Sequence, residues 1–399
     1  MTEVAQAERL ILERMPRAAS RREPLERCVG RVLAQEVFAE RDQPPFDRVT
    51  MDGIAIAHRD WSSGMRRFTV GGTQAAGAPR LERPGPGQCI EVMTGAMLPA
   101  GCDTVIPVER LQRTGAEVEI DASPEVNERQ FVHAQGSDRR NGTRLLEPGM
   151  RIGAAEMAVL ASAGCAEVAV SAVPRVAVIS TGDELVDVGE PLAPHQIRSS
   201  NDRALAAALQ GHGLAEVSRA RLPDDERTLL DEIQRLHGEH DALILSGGVS
   251  MGQFDFVPAV LERLGVELVF HKVEQRPGRP MWFGVTRDAK PVFALPGNPV
   301  STLVCAARYV LPAFRASIGL EPFPMEHAVL TAPVQLPARL TYFMPVVLES
   351  APDGVLRATP RPTNTSGDFI TLAGTDGFVE LPHGPPAYPA GAAARLFRW

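Results

Sequence analysis

The chain is poor in aromatic side chains, 5% of its 399 residues, and has no run of about 18 apolar residues that could cross a bilayer. Positive charge is not in excess either: 41 Lys and Arg stand against 49 Asp and Glu, a formal net charge of −8. Nucleic acid and anionic membranes call for concentrated positive charge, so neither is expected as the main partner. The five cysteines, Cys28, Cys89, Cys102, Cys165 and Cys305, lie far apart with no CxxC pair. That spacing argues against a disulfide frame or a zinc site and for free, buried thiols. The opening MTEVAQAERLILERMPRAASRR mixes acids and bases without the apolar stretch of a secretion signal, so a cytoplasmic protein is expected. Both GxxxxGK[ST] and a GxGxxG fingerprint opening the first helix of an α/β pattern are missing, which sets aside the commonest nucleotide folds.

Glycine (35) and proline (34) are plentiful, and 44% of the chain is hydrophobic, enough for true cores in several domains. Val4, Ala7, Leu10, Ile11 and Met15 recur at helical spacing near the start. From about Phe46 to Gln135 short β-like runs alternate with Gly and Pro clusters. A helical patch, GAAEMAVLASAGCAEVAV, then leads to Pro174. Beyond it strands and helices alternate for about 145 residues, the pattern of a largely parallel sheet covered on both faces. The tail from Glu321 returns to prolines, turns and β-like runs, which suggests a small antiparallel barrel.

Ligands of open parallel sheets bind outside the carboxyl ends of the strands. Three loops fall at such ends: ISTGDEL, with Ser180, Thr181, Gly182 and Glu184; LSGGVSMGQFDF, with Ser246, Gly247, Gly248, Ser250 and Asp255; and LPGNPVS, with Pro296, Gly297, Asn298 and Pro299. Glycines there let backbone N–H groups close on an oxyanion. Asn298 is positioned to cap the last helix, with Pro299 in its first turn. Gly247-Gly248 alone is as readily a plain strand-to-helix turn; three loops on one rim carry more weight. Glu184 and Asp255 would repel a bound anion unless a cation such as Mg²⁺ bridged them to it. Lys272, Arg276 and Arg279, in HKVEQRPGRPMWFG, supply positive groups suited to phosphate or a tetrahedral oxyanion.

The ordered series TMDGIAIA, EVMTGAMLPAGCDTVIPVE, VAVISTGDELVDVGEPL, LSGGVSMGQFDF, VEQRPGRPMWFG and FALPGNPVSTLV resembles the MoeA-type molybdopterin molybdenumtransferases, the group that includes the gephyrin E domain. The resemblance implies a multidomain α/β plus β fold. Residues 1–45 with 139–173 would form an elongated linking domain, 46–138 a β-rich insertion, 174–320 a MogA-like doubly wound α/β domain, and 321–399 a C-terminal β-barrel, in a homodimer. The activity implied is insertion of molybdate into adenylylated molybdopterin, with Mg²⁺ and release of AMP. Carried over by position, Glu184, Asp224 and Asp255 would act in the α/β site with Glu184 and Asp255 on the metal. Asp52, Thr94 and Asp138 would lie near a site formed between subunits. A molybdopterin adenylyltransferase and molybdoenzymes are implied as further partners.

Some positions depart from that pattern. Ile54 stands where the family has tyrosine, Arg198 and Ser199 where it has a tyrosine and a carboxylate, Ser137 for an acid and His133 for an arginine. Arginines replace the lysines of KPGKP. A diverged relative that carries the pterin without turning it over, or an adenylyltransferase acting on molybdopterin with ATP, stand as alternatives.

Overall fold

The computed structural model describes residues 1–123, 125–249, 256–336 and 339–399. Ser250 and Asp255 of the second glycine loop lie outside them. The chain forms two compact units, one of Met1–Gln35, Pro148–Ala154 and Glu167–Trp399, the other of Glu36–Glu147 with Ala155–Ala166.

The second unit is built on a six-stranded sheet in the order Thr104–Pro107, Gly53–Ile56, Gln88–Val92, Arg67–Gln74, Glu117–Ile120 and Leu111–Thr114. Ile54, Ile56, Phe68, Cys89, Ile106 and Val118 bury one face, and Ala55, Ile90, Val92 and Val105 the other. The helical patch expected before Pro174 is helix only over Ala154–Ser162. Its CAEVAV end is the strand Glu167–Ser171, paired antiparallel with Ser20–Pro24, because alternation with β-branched Val168 and Val170 buries one face of it.

In the first unit, the α/β sheet runs in the order Glu216–Leu222, Arg175–Thr181, Ala242–Ser246, Pro291–Leu295, Trp282–Val285 and Glu267–His271. The first four are parallel, and Trp282–Val285 is antiparallel to both neighbours. That strand begins in HKVEQRPGRPMWFG, singled out in the sequence only for its basic residues. Its apolar MWFG lies against Pro291–Leu295, where Met281, Trp282 and Phe283 are buried. Alternate residues serve two cores: Val176, Val178, Ile244 and Phe293 face one side, Ala177, Ile179, Leu243 and Leu245 the other. Burying each large side chain is worth about 1.5–3 kcal/mol, which is why these strands read as continuous apolar runs. The helices Asn201–Gly211, Glu226–Glu239, Val257–Arg263 and Pro299–Cys305 complete the layers. After Cys305 the helix widens to a π-turn over Ala306–Val310 before Leu311–Ser317. Pro312 lacks the N–H a regular turn needs, and a widened turn accommodates it.

Beyond this sheet, Thr341–Ser350 pairs with Leu356–Pro360 and with Gly377–Leu381, Gly377–Leu381 with Ala393–Arg398, and Ala393–Arg398 with Glu326–Leu330. The pairing of Glu326–Leu330 with Leu356–Pro360 closes a five-stranded barrel, and that last pairing is parallel rather than antiparallel. Gln275–Arg276 adds to the edge of Thr341–Ser350, which ties the arginine turn to the barrel.

Candidate functional site

Register aligns the ends of the central strands. Ser180 pairs with Ser246, Ser246 with Leu295, and Thr181 with Leu222, so the loops that follow leave one edge together. Strand order doubles back between Arg175–Thr181 and Ala242–Ser246, the position where such sheets open a crevice. The loops touch. Gly247 N–H donates to Leu295 O at 3.2 Å, and Gly182 N–H to Leu222 O at 3.2 Å. Gly247 has φ +104°, and a Cβ there would sit 2.6 Å from Thr181 O. Only glycine allows that approach.

The loops line a cavity of about 690 Å³, with Ser180, Thr181, Glu184, Asp224, Ser246, Gly247, Gly248 and Pro296 to Pro299 on its walls. The hydroxyls of Ser180 and Thr181 are buried and, among the described residues, make no hydrogen bond. An unpaired buried hydroxyl costs about 1–3 kcal/mol, and both of these belong to residues that line one cavity. Asn201, not singled out from the sequence, braces the rim. Its Nδ2 donates to Ser246 Oγ at 2.8 Å and to Gly297 O at 2.7 Å. Asn298 occupies the cap position of Pro299–Cys305, but its side chain does not cap. Instead Nδ2 donates to Ser366 Oγ at 2.9 Å, and Thr302 Oγ1 holds Pro296 O at 2.6 Å.

Of the acids, Glu184 and Asp224 reach this cavity, and the Glu184 carboxylate lies against Gly182. The neighbouring Asp225 is a helix cap, accepting from Thr228 N–H at 2.8 Å and Thr228 Oγ1 at 2.7 Å. These bonds, the hydroxyl's first, hold its carboxyl below the usual range. Ser199 donates to the buried Asp202 carboxylate at 2.8 Å, and Arg219 donates to the same carboxylate at 2.7 Å. A carboxylate therefore stands behind Ser199, already neutralised by arginine.

A second cavity of about 340 Å³ is lined by Arg276, Arg279, Tyr342 and Ser366, and it shares Pro280, Pro296 and Asn298 with the first. Both arginines are exposed and have no carboxylate partner among the described residues. Burial pushes the Tyr342 phenol up, with Arg276 opposing the shift. Behind the turn, Gln275 is fully buried, donating to Pro277 O at 3.0 Å and accepting from Tyr309 Oη. Lys272 is half-buried and lines neither cavity.

In the other unit, Asp52 Oδ1 accepts from both Thr94 N–H and Thr94 Oγ1 at 2.6 Å, bonds that lower its pKa, the hydroxyl's first. Asp138 Oδ1 lies 2.9 Å from His133 Nε2, and His133 Nδ1 lies 3.1 Å from Arg48. His133 thus occupies a polar relay with Arg48 on one side and Asp138 on the other. Ile54 is buried in the sheet. All five cysteines are free, four of them buried and Cys165 half-buried, and no helix among the described residues is long and apolar enough to cross a membrane.

Family models match in chain order: the MoeA N-terminal region (domains I and II) over residues 2–164, a probable molybdopterin binding domain over 177–316, and the MoeA C-terminal region (domain IV) over 327–395. A molybdopterin molybdenumtransferase of Synechocystis is 40% identical over 400 aligned residues, covering 100% of both chains. The chain belongs to the molybdopterin molybdenumtransferase family. The Bacillus subtilis molybdopterin molybdenumtransferase is 33% identical, over 93% of this chain and 88% of its own. The crystal structure of a molybdopterin biosynthesis MoeA protein from Pyrococcus horikoshii superposes with a TM-score of 0.86 at 31% identity, over 100% of this chain and 99% of that one. The α/β and barrel architecture expected from the sequence is that of the molybdenumtransferase family.

Proposed function

We propose that the protein inserts molybdate into adenylylated molybdopterin and releases AMP, a step of molybdenum cofactor biosynthesis. The observation that carries this reading is the convergence of three loops on one cavity, whose lining residues Ser180 and Thr181 have buried hydroxyls without a hydrogen-bond partner among the described residues. The amide of Gly248 and the hydroxyls of Ser180 and Thr181 would donate to phosphate oxygens, with Gly247 allowing the close approach of the strand ends. Arg276 and Arg279, without a carboxylate partner among the described residues, would receive molybdate or the pterin phosphate in the adjoining cavity. Four domains divided at 45/46, 138/139, 173/174 and 320/321 belong to the same proposal, as does a homodimer whose Asp52, Thr94 and Asp138 serve a site completed by the second copy.

Magnesium fits the donors at the first cavity. Glu184, Asp224 and the hydroxyls of Ser180 and Thr181 offer oxygen only, and no cluster of three or more His, Cys, Asp or Glu is found among the described residues. Mg²⁺ needs no such cluster, because it keeps waters and takes one or two carboxylates together with substrate phosphates. Glu184, with Asp255 of the second loop, is proposed to hold it, and the ion would supply charge neutralisation at the phosphates. The chain's own groups then fix the phosphates, brace the rim through Asn201, and present the oxyanion to the guanidinium pair.

Purified protein is expected to release AMP from adenylylated molybdopterin only when molybdate and Mg²⁺ are both present. The double variant Glu184→Ala, Asp255→Ala should lower that rate by about 100-fold or more, the scale of a lost metal or oxyanion contact. Equal rates in the two proteins would remove the proposal. Tight binding without release would instead identify a carrier, and ATP-dependent adenylylation of molybdopterin would identify an adenylyltransferase.

A further inference from the structure

The cavity at the strand ends gathers hydroxyl, carboxylate and backbone groups, and one aromatic ring lines it with them. Phe369 lines it together with Gly367, both delivered by the segment that precedes the strand Gly377–Leu381. It is the sole aromatic among the described lining residues, in a chain with only 5% aromatics, and it is 42% exposed. The segment that carries it is held at several points. Ser366 O accepts from Val300 N–H at 3.1 Å, and Ser366 Oγ from Asn298 Nδ2 at 2.9 Å. Asp368 Oδ2 accepts from Asn364 N–H at 3.1 Å and from Thr371 Oγ1 at 2.8 Å. Asn298, which shapes the cavity rim, therefore also fixes the segment that bears the ring. The remaining large aliphatic side chains on the wall are Leu185, Ile197 and Val249, and Ile197 is exposed as well.

An exposed ring on an anchored segment leaves apolar surface in water, a cost that a ligand can remove. The polar loops account for the charged part of such a ligand and leave its flat part without a partner. We infer that Phe369 is the stacking platform for the planar conjugated heterocycle of the phosphorylated ligand. It is a specificity-determining residue that selects a flat ring over a sugar phosphate alone. This inference rests on the proposed function for the phosphate loops. Adenine and pterin share the chemistry, since either presents a π-face to the ring.

The test is calorimetric titration of the intact protein, Phe369→Ala, Phe369→Trp and Ile370→Ala with AMP, a pterin monophosphate and ribose 5-phosphate. Phe369→Ala is expected to weaken AMP, the pterin probe or both by roughly 10-fold or more, the scale of a lost base–aromatic stack, and to leave ribose 5-phosphate unchanged. Phe369→Trp should retain binding, and Ile370→Ala, at a neighbouring exposed residue that does not line the cavity, should match wild type. Which probe responds identifies the stacked ring. Unchanged binding of both ring probes in Phe369→Ala, or an equal loss for ribose 5-phosphate, overturns the inference while the phosphate site stands. A wild-type protein that binds none of the three overturns the reading of the site, and the inference with it. Equal thermal midpoints exclude misfolding as the cause.

Discussion

Gly247 concentrates the logic of the site in one residue. Its φ of +104° and the 2.6 Å approach of a notional Cβ to Thr181 O leave no room for a side chain. Gly247→Ala is expected to cost about 1–3 kcal/mol of backbone strain and to weaken AMP binding by at least about 10-fold, because the strand ends must separate. Denaturant melts and titration check the two effects, and a variant that binds normally would show that the cradle tolerates opening. The same residue was legible in the sequence, since a glycine pair at a strand end announces positive φ. Ser180 and Thr181 were legible with their loop as well, whereas Asn201 and Phe369 were not, because nothing in their local sequence separates a site residue from a helix start or an exposed loop side chain.

Among the elements, the helix Glu226–Glu239 is the one whose boundary chemistry is simplest. Asp225 caps it through Thr228, with its carboxyl held below the ordinary value. A depressed carboxyl stabilises the fold when ionised, so the contribution is full above the unfolded-state value near 3.9 and is lost as pH falls through the lower folded value. Asp225→Ala is expected to lower the thermal midpoint by about 2 °C at pH 7, with the difference shrinking as pH falls below the unfolded-state value near 3.9. A difference that persisted in acid would mean the side chain acts by something other than its charge. The helices and parallel strands around this element follow from apolar periodicity. Trp282–Val285 hid behind the basic turn, since four apolar residues carry too little period to distinguish strand from loop. The π-turn at Ala306–Val310 was equally hidden, because its cause is Pro312, which lies outside the widened turn itself.

At the scale of the whole molecule, a string of small domains rarely buries enough surface alone, and a homodimer is expected. Light scattering at micromolar concentration should return twice the mass of one chain, and a monomer alone would remove the proposal that Asp52, Thr94 and Asp138 serve a shared site. The sequence by itself determined the kind of protein this is: ordered motifs along the chain, an alternating βα region, glycine loops at strand ends and a charge balance unsuited to nucleic acid. These are local properties, set by side-chain volume, backbone freedom and spacing. Tertiary structure decided what depends on residues far apart in the chain. It brought Ser180, Ser246 and Leu295 level, turned Asn298 from capping to holding Ser366, placed a neutralised Asp202 behind Ser199, left Lys272 outside both cavities and brought Phe369 to the cavity of the glycine loops. Register and strand order bring such residues together, and both are fixed by the packing of whole cores rather than by any one segment.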